Sequence, residues 1–280
     1  MSASDIIFNT AIAAVNNNDH LRVYTQDTNG GIRESLYEGK WQNGNAGNTI
    51  VTAKLGSPIA ATSKELKEIR VYTLSTDNIL TETAYSAGRG WYTGDLGAKK
   101  FVVAPYSKIA ATFLATGSSL QLRVYAQLPD NTIQEYGYDS ASTGWVKQTN
   151  LGSAVAGSSI ATTSFNISSL SIRGASRPPP RAAIAATSYP ASASAISLRV
   201  YHAAADNTLV ERAYDGDGWY AGAFVQKTVP GTQAAVIEWT TQGTQLRVYF
   251  QNGTQVSGVS EWVWSGGWVK GAAAIPPAAQ

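Results

Sequence analysis

Short apolar strands separated by polar turns make up the chain. In the stretch that begins at Leu21, LRVYTQDTNGGIRESLYEGKW, the letters LRVYTQ are typical of a β-strand and DTNGG of a turn. Arg22 and Glu34 interrupt the apolar pattern, and Trp41 follows in a further strand. The pattern therefore predicts a β-hairpin that carries a charged pair, followed by a strand with a large aromatic residue.

The same arrangement recurs along the chain. A strand with an arginine before an apolar pair occurs six times, the fourth copy in the damaged form SIRGAS, and the arginines are Arg22, Arg70, Arg123, Arg173, Arg199 and Arg247. The steps between them are 48, 53, 50, 26 and 48 residues. A strand of small residues such as PIAAT precedes each copy, and in the five complete copies a glutamate strand and a glycine-rich tryptophan strand follow. Four strands in about 40–50 residues are typical of a propeller blade.

We therefore predict an all-β fold, a β-propeller with four-stranded blades in a single domain, 1–280. The predicted repeats are 11–56, 58–97, 108–152, 159–176, 183–229 and 233–271. The fourth blade is predicted to be truncated, because a step of 26 residues stands where about 50 is expected and some 24 residues (50 − 26) are missing. Pro178 to Pro180 cannot donate to a β-ladder, so they are expected to form an extended connection across a tolerated deletion.

Each complete repeat places its arginine and its glutamate at a fixed spacing. The separation is 12 residues in four copies and 14 in the last. Because side chains alternate along a strand, this spacing predicts that both charges lie on one face of a hairpin, directed at the gap between blades. A cross-strand ion pair can simply stabilise a sheet, by roughly 0.2–1 kcal/mol. Five copies favour a binding role, since each has an aromatic residue three positions after the glutamate: Tyr37, Tyr85, Tyr138, Tyr214 and Trp264.

This set of side chains suits a sugar. Arginine supplies fixed hydrogen-bond donors and glutamate supplies acceptors for hydroxyl groups that both donate and accept. Tryptophan offers one N–H donor and a broad flat surface for the apolar face of a pyranose. The repeats therefore predict several carbohydrate sites, each built where two blades meet.

Composition limits the other functions. Charged residues make up 14% of the chain and the net charge is +2, so no strong field attracts nucleic acid or an anionic membrane. Without cysteine and with only 2 histidines, disulfides and thiolate metal sites are excluded and zinc is disfavoured. We expect no cofactor, no membrane insertion and no signal peptide. The expected protein is soluble, and either cytoplasmic or released to the outside or the cell surface by a non-classical route.

The pattern RVY…I.E..Y…W resembles the fungal fucose-binding lectins of the Aleuria aurantia lectin family. The stretches LRVYTQDTNGGIRESLYE, AATSKELKEIRVYTL and VSGVSEWVW carry the resemblance, which runs from about Ile6 to Lys270. It implies a six-bladed β-propeller lineage and a homodimer. It also implies binding of L-fucose between neighbouring blades, without metal and without catalysis, and hence multivalent binding of fucosylated glycans and agglutination.

The resemblance also assigns site residues, with one blade giving arginine and glutamate and the next giving two aromatic residues. The implied fucose sites are Arg22 and Glu34 with Tyr85 and Trp91, Arg70 and Glu82 with Tyr138 and Trp145, and Arg199 and Glu211 with Trp264 and Trp268. Arg123 and Glu135 face the truncated blade, so their site is expected to be impaired unless Tyr214 and Trp219 move in. Arg173 has no glutamate partner. Arg247 and Glu261, with Tyr37 and Trp41, are expected to be structural.

Two rival functions remain. A glycoside hydrolase on a propeller scaffold needs two carboxyl groups, about 5–5.5 Å apart in a retaining enzyme. Here one repeated acid per blade is paired with arginine, which is expected to lower its pKa and make it a poor general acid. A protein-binding propeller would place its binding residues on surface loops and would be insensitive to sugars. We therefore expect a fucose-binding lectin rather than an enzyme.

Overall fold

A computed structural model describes residues 5–114, 120–164, 182–192, 195–255 and 257–277. These residues form five antiparallel sheets, which we name blades A to E in chain order. The fold is an all-β propeller with five blades of four strands each, which confirms the predicted fold class and the four-stranded blade. In blade A the outer edge is shared by two short strands.

The strands of each blade follow one another in the chain. Blade A contains β1 (Ala13–Asn17), β2 (His20–Gln26), β3 (Gly31–Tyr37), β4 (Trp41–Asn43) and β5 (Thr49–Thr52). Blade B contains β6 (Ala60–Lys64), β7 (Glu68–Leu74), β8 (Leu80–Ser86) and β9 (Gly90–Thr93). Blade C contains β10 (Ile109–Phe113), β11 (Leu122–Gln127), β12 (Thr132–Tyr138) and β13 (Trp145–Ser153). Blade D contains β14 (Ile184–Ser192), β15 (Ala195–Ala203), β16 (Thr208–Tyr214) and β17 (Trp219–Lys227). Blade E contains β18 (Ala234–Trp239), β19 (Gln245–Phe250), β20 (Ser260–Trp264) and β21 (Trp268–Lys270).

The first strand of each blade lies at the centre of the ring. β1 contacts β6 on one side and β18 on the other, so the first and last blades are neighbours and the ring closes between them. A narrow central channel of about 170 Å³ is lined by small residues of these strands, among them Ala13, Ala60 and Ala110. Small side chains are required there because the blades converge.

The segment 159–164 lies at the centre between blades C and D. Residues 159–162 line the channel beside the five inner strands. Thr112 of β10 donates from Oγ1 to Ser164 Oγ at 3.1 Å, and Thr163 Oγ1 lies 2.6 Å from Ser188 Oγ of β14. The segment has no regular strand among its described residues, unlike the inner strand predicted there. The rest of the predicted truncated repeat, 165–176, and Arg173 with it, lies outside the described residues.

Buried glutamines at the end of the second strand connect one blade to the next. Gln26 donates from Nε2 to Lys54 O at 2.9 Å and accepts from Gly56 N at 2.8 Å. Gln127 of blade C holds Val155 and Gly157 in the same way. Both glutamines are fully buried, and each satisfies backbone groups of the chain that leads to the next inner strand.

Candidate functional site

The hairpin register places each arginine and glutamate on one face. In blade A, Arg22 lies opposite Leu36 and Tyr24 lies opposite Glu34, so Arg22, Tyr24 and Glu34 share a face. The valine of the RVY stretch lies on the other face and is fully buried there in four blades: Val23, Val71, Val124 and Val248. The prediction that the charged pair shares one face is confirmed.

The arginine and glutamate form an ion pair in four blades. Arginine Nε lies 3.5 Å from glutamate Oε1 in blade B, 3.2 Å in blades C and D, and 3.8 Å in blade E. In blade A, Arg22 instead pairs with Glu38 at 2.7 Å, and Glu34 accepts from Tyr24 OH at 2.9 Å. Every arginine also donates from Nη1 to the carbonyl of the preceding residue, at 2.8–3.0 Å, which fixes the guanidinium plane.

Aromatic rings of the following blade face the charged residues across a cleft in blades A, B, D and E. The tyrosine of RVY meets the next blade's tryptophan in T-shaped contacts at 5.9–6.1 Å: Tyr24 with Trp91, Tyr72 with Trp145, Tyr201 with Trp268 and Tyr249 with Trp41. Within each blade the tryptophan also packs on the aromatic residue that follows glutamate, as Trp145 does on Tyr138 at 5.7 Å. Four clefts result: A–B, B–C, D–E and E–A.

In two clefts the indole binds the carboxylate directly. Trp145 Nε1 donates to Glu82 Oε2 at 3.2 Å, and Trp41 Nε1 donates to Glu261 Oε2 at 3.2 Å. The B–C cleft therefore joins the residues that the sequence predicted to work together. The E–A cleft, expected to be structural, has the same arrangement as the predicted sites.

The charged pair of blade C has no such neighbour among the described residues. Tyr125, its RVY tyrosine, is half-buried and has no T-shaped tryptophan partner in the described part of the chain. Trp219 contacts Tyr214 of its own blade at 5.7 Å, and its indole N–H is buried without a hydrogen-bond partner. Among the described residues, the ring contact of Tyr214 and Trp219 is with each other and not with the charged pair of blade C.

A second carboxylate on the arginine was missed by sequence reasoning. Four arginines bind one more acid, at 2.7–2.9 Å: Arg22 with Glu38, Arg70 with Glu68, Arg123 with Asp139 and Arg199 with Asp215. In blades A, C and D this acid stands four residues after the repeated glutamate, a spacing that would have revealed it. Arg247 has no second acid in the described part of the chain and lies over Trp239 at 4.7 Å.

A glycine three residues after tryptophan was also missed. A Cβ atom at Gly94, Gly222 or Gly271 would collide with the glutamate side chain of the same blade. These glycines are therefore needed for the carboxylate to lie flat against the outer strand. The signal W-x-x-G is present in four of the five blades, and blade C has Gln148 in that position.

Two of the cleft carboxyl groups have a raised pKa, and burial is its largest cause. Burial raises the pKa of Glu82, and the charge of Arg70 and hydrogen bonds from Leu96 N, Trp145 and Tyr72 only partly oppose this. Burial likewise raises the pKa of Glu34. The prediction that arginine would lower these pKa values is wrong for both residues, because loss of hydration outweighs the attraction of the guanidinium.

The described residues contain no group of three or more histidine, aspartate or glutamate side chains placed to hold a metal ion. Helical conformation in the described chain is limited to short segments such as Ala46–Asn48 and Leu96–Lys99, and none is long and apolar enough to cross a bilayer.

Comparison with known proteins identifies the chain. The family model for the fungal fucose-specific lectin matches residues 6–175 and 171–278. The fucose-specific lectin of Aspergillus fumigatus is 47% identical over 312 residues, covering 99% of this chain and 98% of that protein.

Solved structures agree. The SapL1 lectin in complex with alpha methyl fucoside superposes with a TM-score of 0.91 at 42% identity, covering 99% of this chain and 100% of that one. The six-bladed Aleuria aurantia lectin superposes with a TM-score of 0.54 at 30% identity, covering 98% and 82%. The chain belongs to the fungal fucose-specific lectin family.

Proposed function

We propose that this protein is a multivalent lectin that binds L-fucose of fucosylated glycans in the clefts between adjacent blades. One observation carries the proposal: a guanidinium and a carboxylate of one blade face the indole of the next blade at four junctions. A site formed by two blades in this way contacts a sugar from two sides. The fucoside bound to the similar SapL1 lectin supports the choice of fucose.

Each group in the cleft has a task. The arginine donates to two neighbouring hydroxyls, the glutamate accepts from a hydroxyl, and the indole N–H donates from the opposite wall. The paired aromatic rings provide an apolar surface for the C–H face and methyl group of a deoxyhexose. The assigned residues are Arg22, Glu34, Tyr85 and Trp91; Arg70, Glu82, Tyr138 and Trp145; and Arg199, Glu211, Trp264 and Trp268.

We extend the assignment to the E–A cleft, formed by Arg247, Glu261, Tyr37 and Trp41. Its indole donates to its carboxylate at the same 3.2 Å distance as in the B–C cleft. Arg247 lacks a second acid within the described chain, so more of its N–H groups remain for a ligand. Arg123 and Glu135 form an impaired site, because their aromatic wall is missing among the described residues.

The proposal includes a six-bladed lineage whose fourth blade is truncated, in a single propeller domain with the repeat boundaries predicted above. Residues 159–162 take a sixth place around the channel, beside five inner strands. The alignment with the Aspergillus fumigatus lectin spans 312 residues although this chain has 280, and this difference supports a deletion. By family likeness the protein forms a homodimer, and several sites on one ring can raise apparent affinity on a glycan surface by ~10²–10⁴.

We further propose that binding occurs without catalysis. The raised pKa of Glu82 is one property of a general acid, and it is the feature that favours a hydrolase. Glu68, the second acid on Arg70, is itself held by Arg70 at 2.9 Å and by Ser86 at 2.8 Å. Release of free fucose from a fucosylated glycan, abolished by Glu82→Gln, would instead establish an enzyme. A protein-binding scaffold would bind its partner equally well in excess fucose.

The test is titration calorimetry with methyl α-L-fucoside. We expect about four equivalents per chain, falling by one in Arg70→Ala and by one in Arg247→Ala. The matched control is Arg123→Ala, which changes the same residue type in the impaired site of blade C and should leave the stoichiometry unchanged. An Arg70→Ala variant that is folded and keeps all equivalents would contradict the site assignment. A wild-type protein that binds no fucoside would contradict the function.

A further inference from the structure

The B–C cleft is larger than a fucose pocket requires. A cavity of about 650 Å³ includes Arg70, Glu82, Tyr138 and Trp145 in its walls. Cavities of roughly 300–1,000 Å³ typically enclose whole drug-sized ligands, so this one has room for more than one pyranose ring. The cavity continues past the four proposed fucose residues toward the outer hairpin of blade B, and its lining there includes Ala84, Arg89 and Tyr92.

A row of side chains on blade B adjoins the proposed fucose residues. The strand register puts Arg70, Ala84 and Tyr92 in one row across β7, β8 and β9. The small side chain of Ala84 leaves a gap in this row, and Arg70 Cζ lies 5.9 Å from the ring centroid of Tyr92. The tyrosine ring is held in place, since its hydroxyl lies 3.0 Å from Ser86 Oγ.

Arg89 lies over the far end of this row. Its Cζ is 3.6 Å from the centroid of the Tyr92 ring, over the ring face. Arg89 is exposed and makes no ion pair with a carboxylate in the described part of the chain. A guanidinium stacked on an aromatic ring keeps its N–H donors while losing much of its freedom, so Arg89 offers donors that are already positioned.

The charge of the cavity lining is balanced. Four basic side chains (Lys64, Lys67, Arg70 and Arg89) are matched by four acidic ones (Glu65, Glu68, Glu82 and Asp95). Such a lining presents both donors and acceptors without a net field. It suits the hydroxyl groups of an uncharged sugar better than an anionic group such as a carboxylate or a sulfate ester.

The other blades lack this combination. The residue in line with Tyr92 is Gln42 in blade A, Val146 in blade C, Tyr220 in blade D and Val269 in blade E. Blade D has Tyr220 but carries Asp217 two residues before its tryptophan, where blade B has Arg89. Blade A places Leu36 in the middle of the row, where blade B has Ala84.

We propose that the B–C cleft holds two sugars: fucose between Arg70, Glu82 and Trp145, and the adjoining uncharged sugar of the glycan against Tyr92 and Arg89. The inference rests on the proposed fucose site. In this cleft the protein would also bind the sugar to which fucose is attached, whereas the other clefts would bind fucose alone.

Calorimetry with two ligand types tests the subsite. Methyl α-L-fucoside should titrate the sites as one group. A set of fucosyl disaccharides, differing in linkage to galactose or N-acetylglucosamine, should contain at least one member that binds one equivalent per chain ~10-fold tighter, as one or two added hydrogen bonds to a charged group provide. Arg89→Ala should remove that tighter class and leave the methyl fucoside titration unchanged.

The matched control is Lys40→Ala, which removes an exposed cation from the corresponding turn of blade A and should change neither titration. Absence of a tighter class for every linkage, or its survival in Arg89→Ala, would overturn the subsite. A gain seen only with sulfated disaccharides would also overturn it, in favour of an anion site. If methyl fucoside itself fails to bind, the proposed fucose function has failed. The disaccharide titrations of the wild type and of Arg89→Ala are then compared by themselves, and a loss of binding in the variant would still support the subsite.

Discussion

The B–C cleft and the Arg123–Glu135 pair of blade C carry the same motif in different surroundings. Arg70 and Glu82 have side chains that are 7% and 5% exposed, whereas Arg123 and Glu135 are both 17% exposed. Tyr72 is fully buried under Trp145, whereas Tyr125 is half-buried. The ion pair itself is not weaker in blade C, at 3.2 Å against 3.5 Å.

The comparison indicates that one blade supplies only half of a proposed site. The arginine, glutamate and tyrosine of RVY are positioned by their own hairpin, so they adopt the same arrangement in both places. The neighbouring blade adds the indole wall and excludes water. Loss of water makes the ionised form of the carboxyl group less favourable. Three predictions test this difference, from the largest expected effect to the smallest.

The largest effect concerns the tryptophan. Trp145 is 1% exposed, packs on Tyr72 and Tyr138, and donates to Glu82, so Trp145→Ala should lower the free energy of unfolding by about 3–5 kcal/mol. Trp219 is half-buried and its indole N–H has no partner, so Trp219→Ala should cost about 1–2 kcal/mol. Urea unfolding of both variants measures the difference. Equal losses of unfolding free energy would show that contact with the preceding blade does not stabilise the tryptophan.

A smaller effect isolates the tyrosine hydroxyl. Tyr72 and Tyr125 donate to Glu82 and Glu135 at the same 3.3 Å distance. Tyr72→Phe should cost about 1.5–3 kcal/mol of unfolding free energy, because it removes a buried hydrogen bond to a charged acceptor. Tyr125→Phe should cost about 0.5–1 kcal/mol, because water can replace the lost donor. If the two losses are equal, burial by the next blade is not the cause of the difference between the faces.

The smallest effect is a pH dependence with opposite signs for binding and folding. Burial raises the pKa of Glu82 above its usual 4.5. As the pH falls, Glu82 is therefore protonated at a higher pH in the folded protein than in the unfolded chain. Stability from this group is therefore present below the pKa of the unfolded chain and falls as pH rises through the folded pKa. Fucoside binding should change the other way, weakening on acidification as Glu82 loses its acceptor charge.

Calorimetry of binding and urea unfolding, both from pH 4 to pH 8, measure these slopes. In Glu82→Gln, which cannot titrate, both slopes should become flatter. A Glu82→Gln protein whose binding and stability keep the wild-type pH profiles would show that this carboxyl group does not titrate in the range, and would remove the electrostatic part of the comparison.

Most of the fold could be predicted from the repeats. Small residues, RVY, the glutamate strand and tryptophan recur with one spacing, and strand alternation then fixes which side chains share a face. Two local signals were present and not read: the acid four residues after glutamate, as in Asp215 after Glu211, and the glycine three residues after tryptophan, as in Gly94 after Trp91.

Only the tertiary structure decided which half-sites find a partner. The family resemblance groups Trp41 with Glu261, but only the structure shows that the Trp41 indole donates to the Glu261 carboxylate across the ring closure. It also could not fix the pKa direction of Glu34 and Glu82, because desolvation depends on what covers a carboxyl group and not on its neighbours in the chain. Local spacing determines what each blade presents, and packing between distant blades determines what that surface can bind.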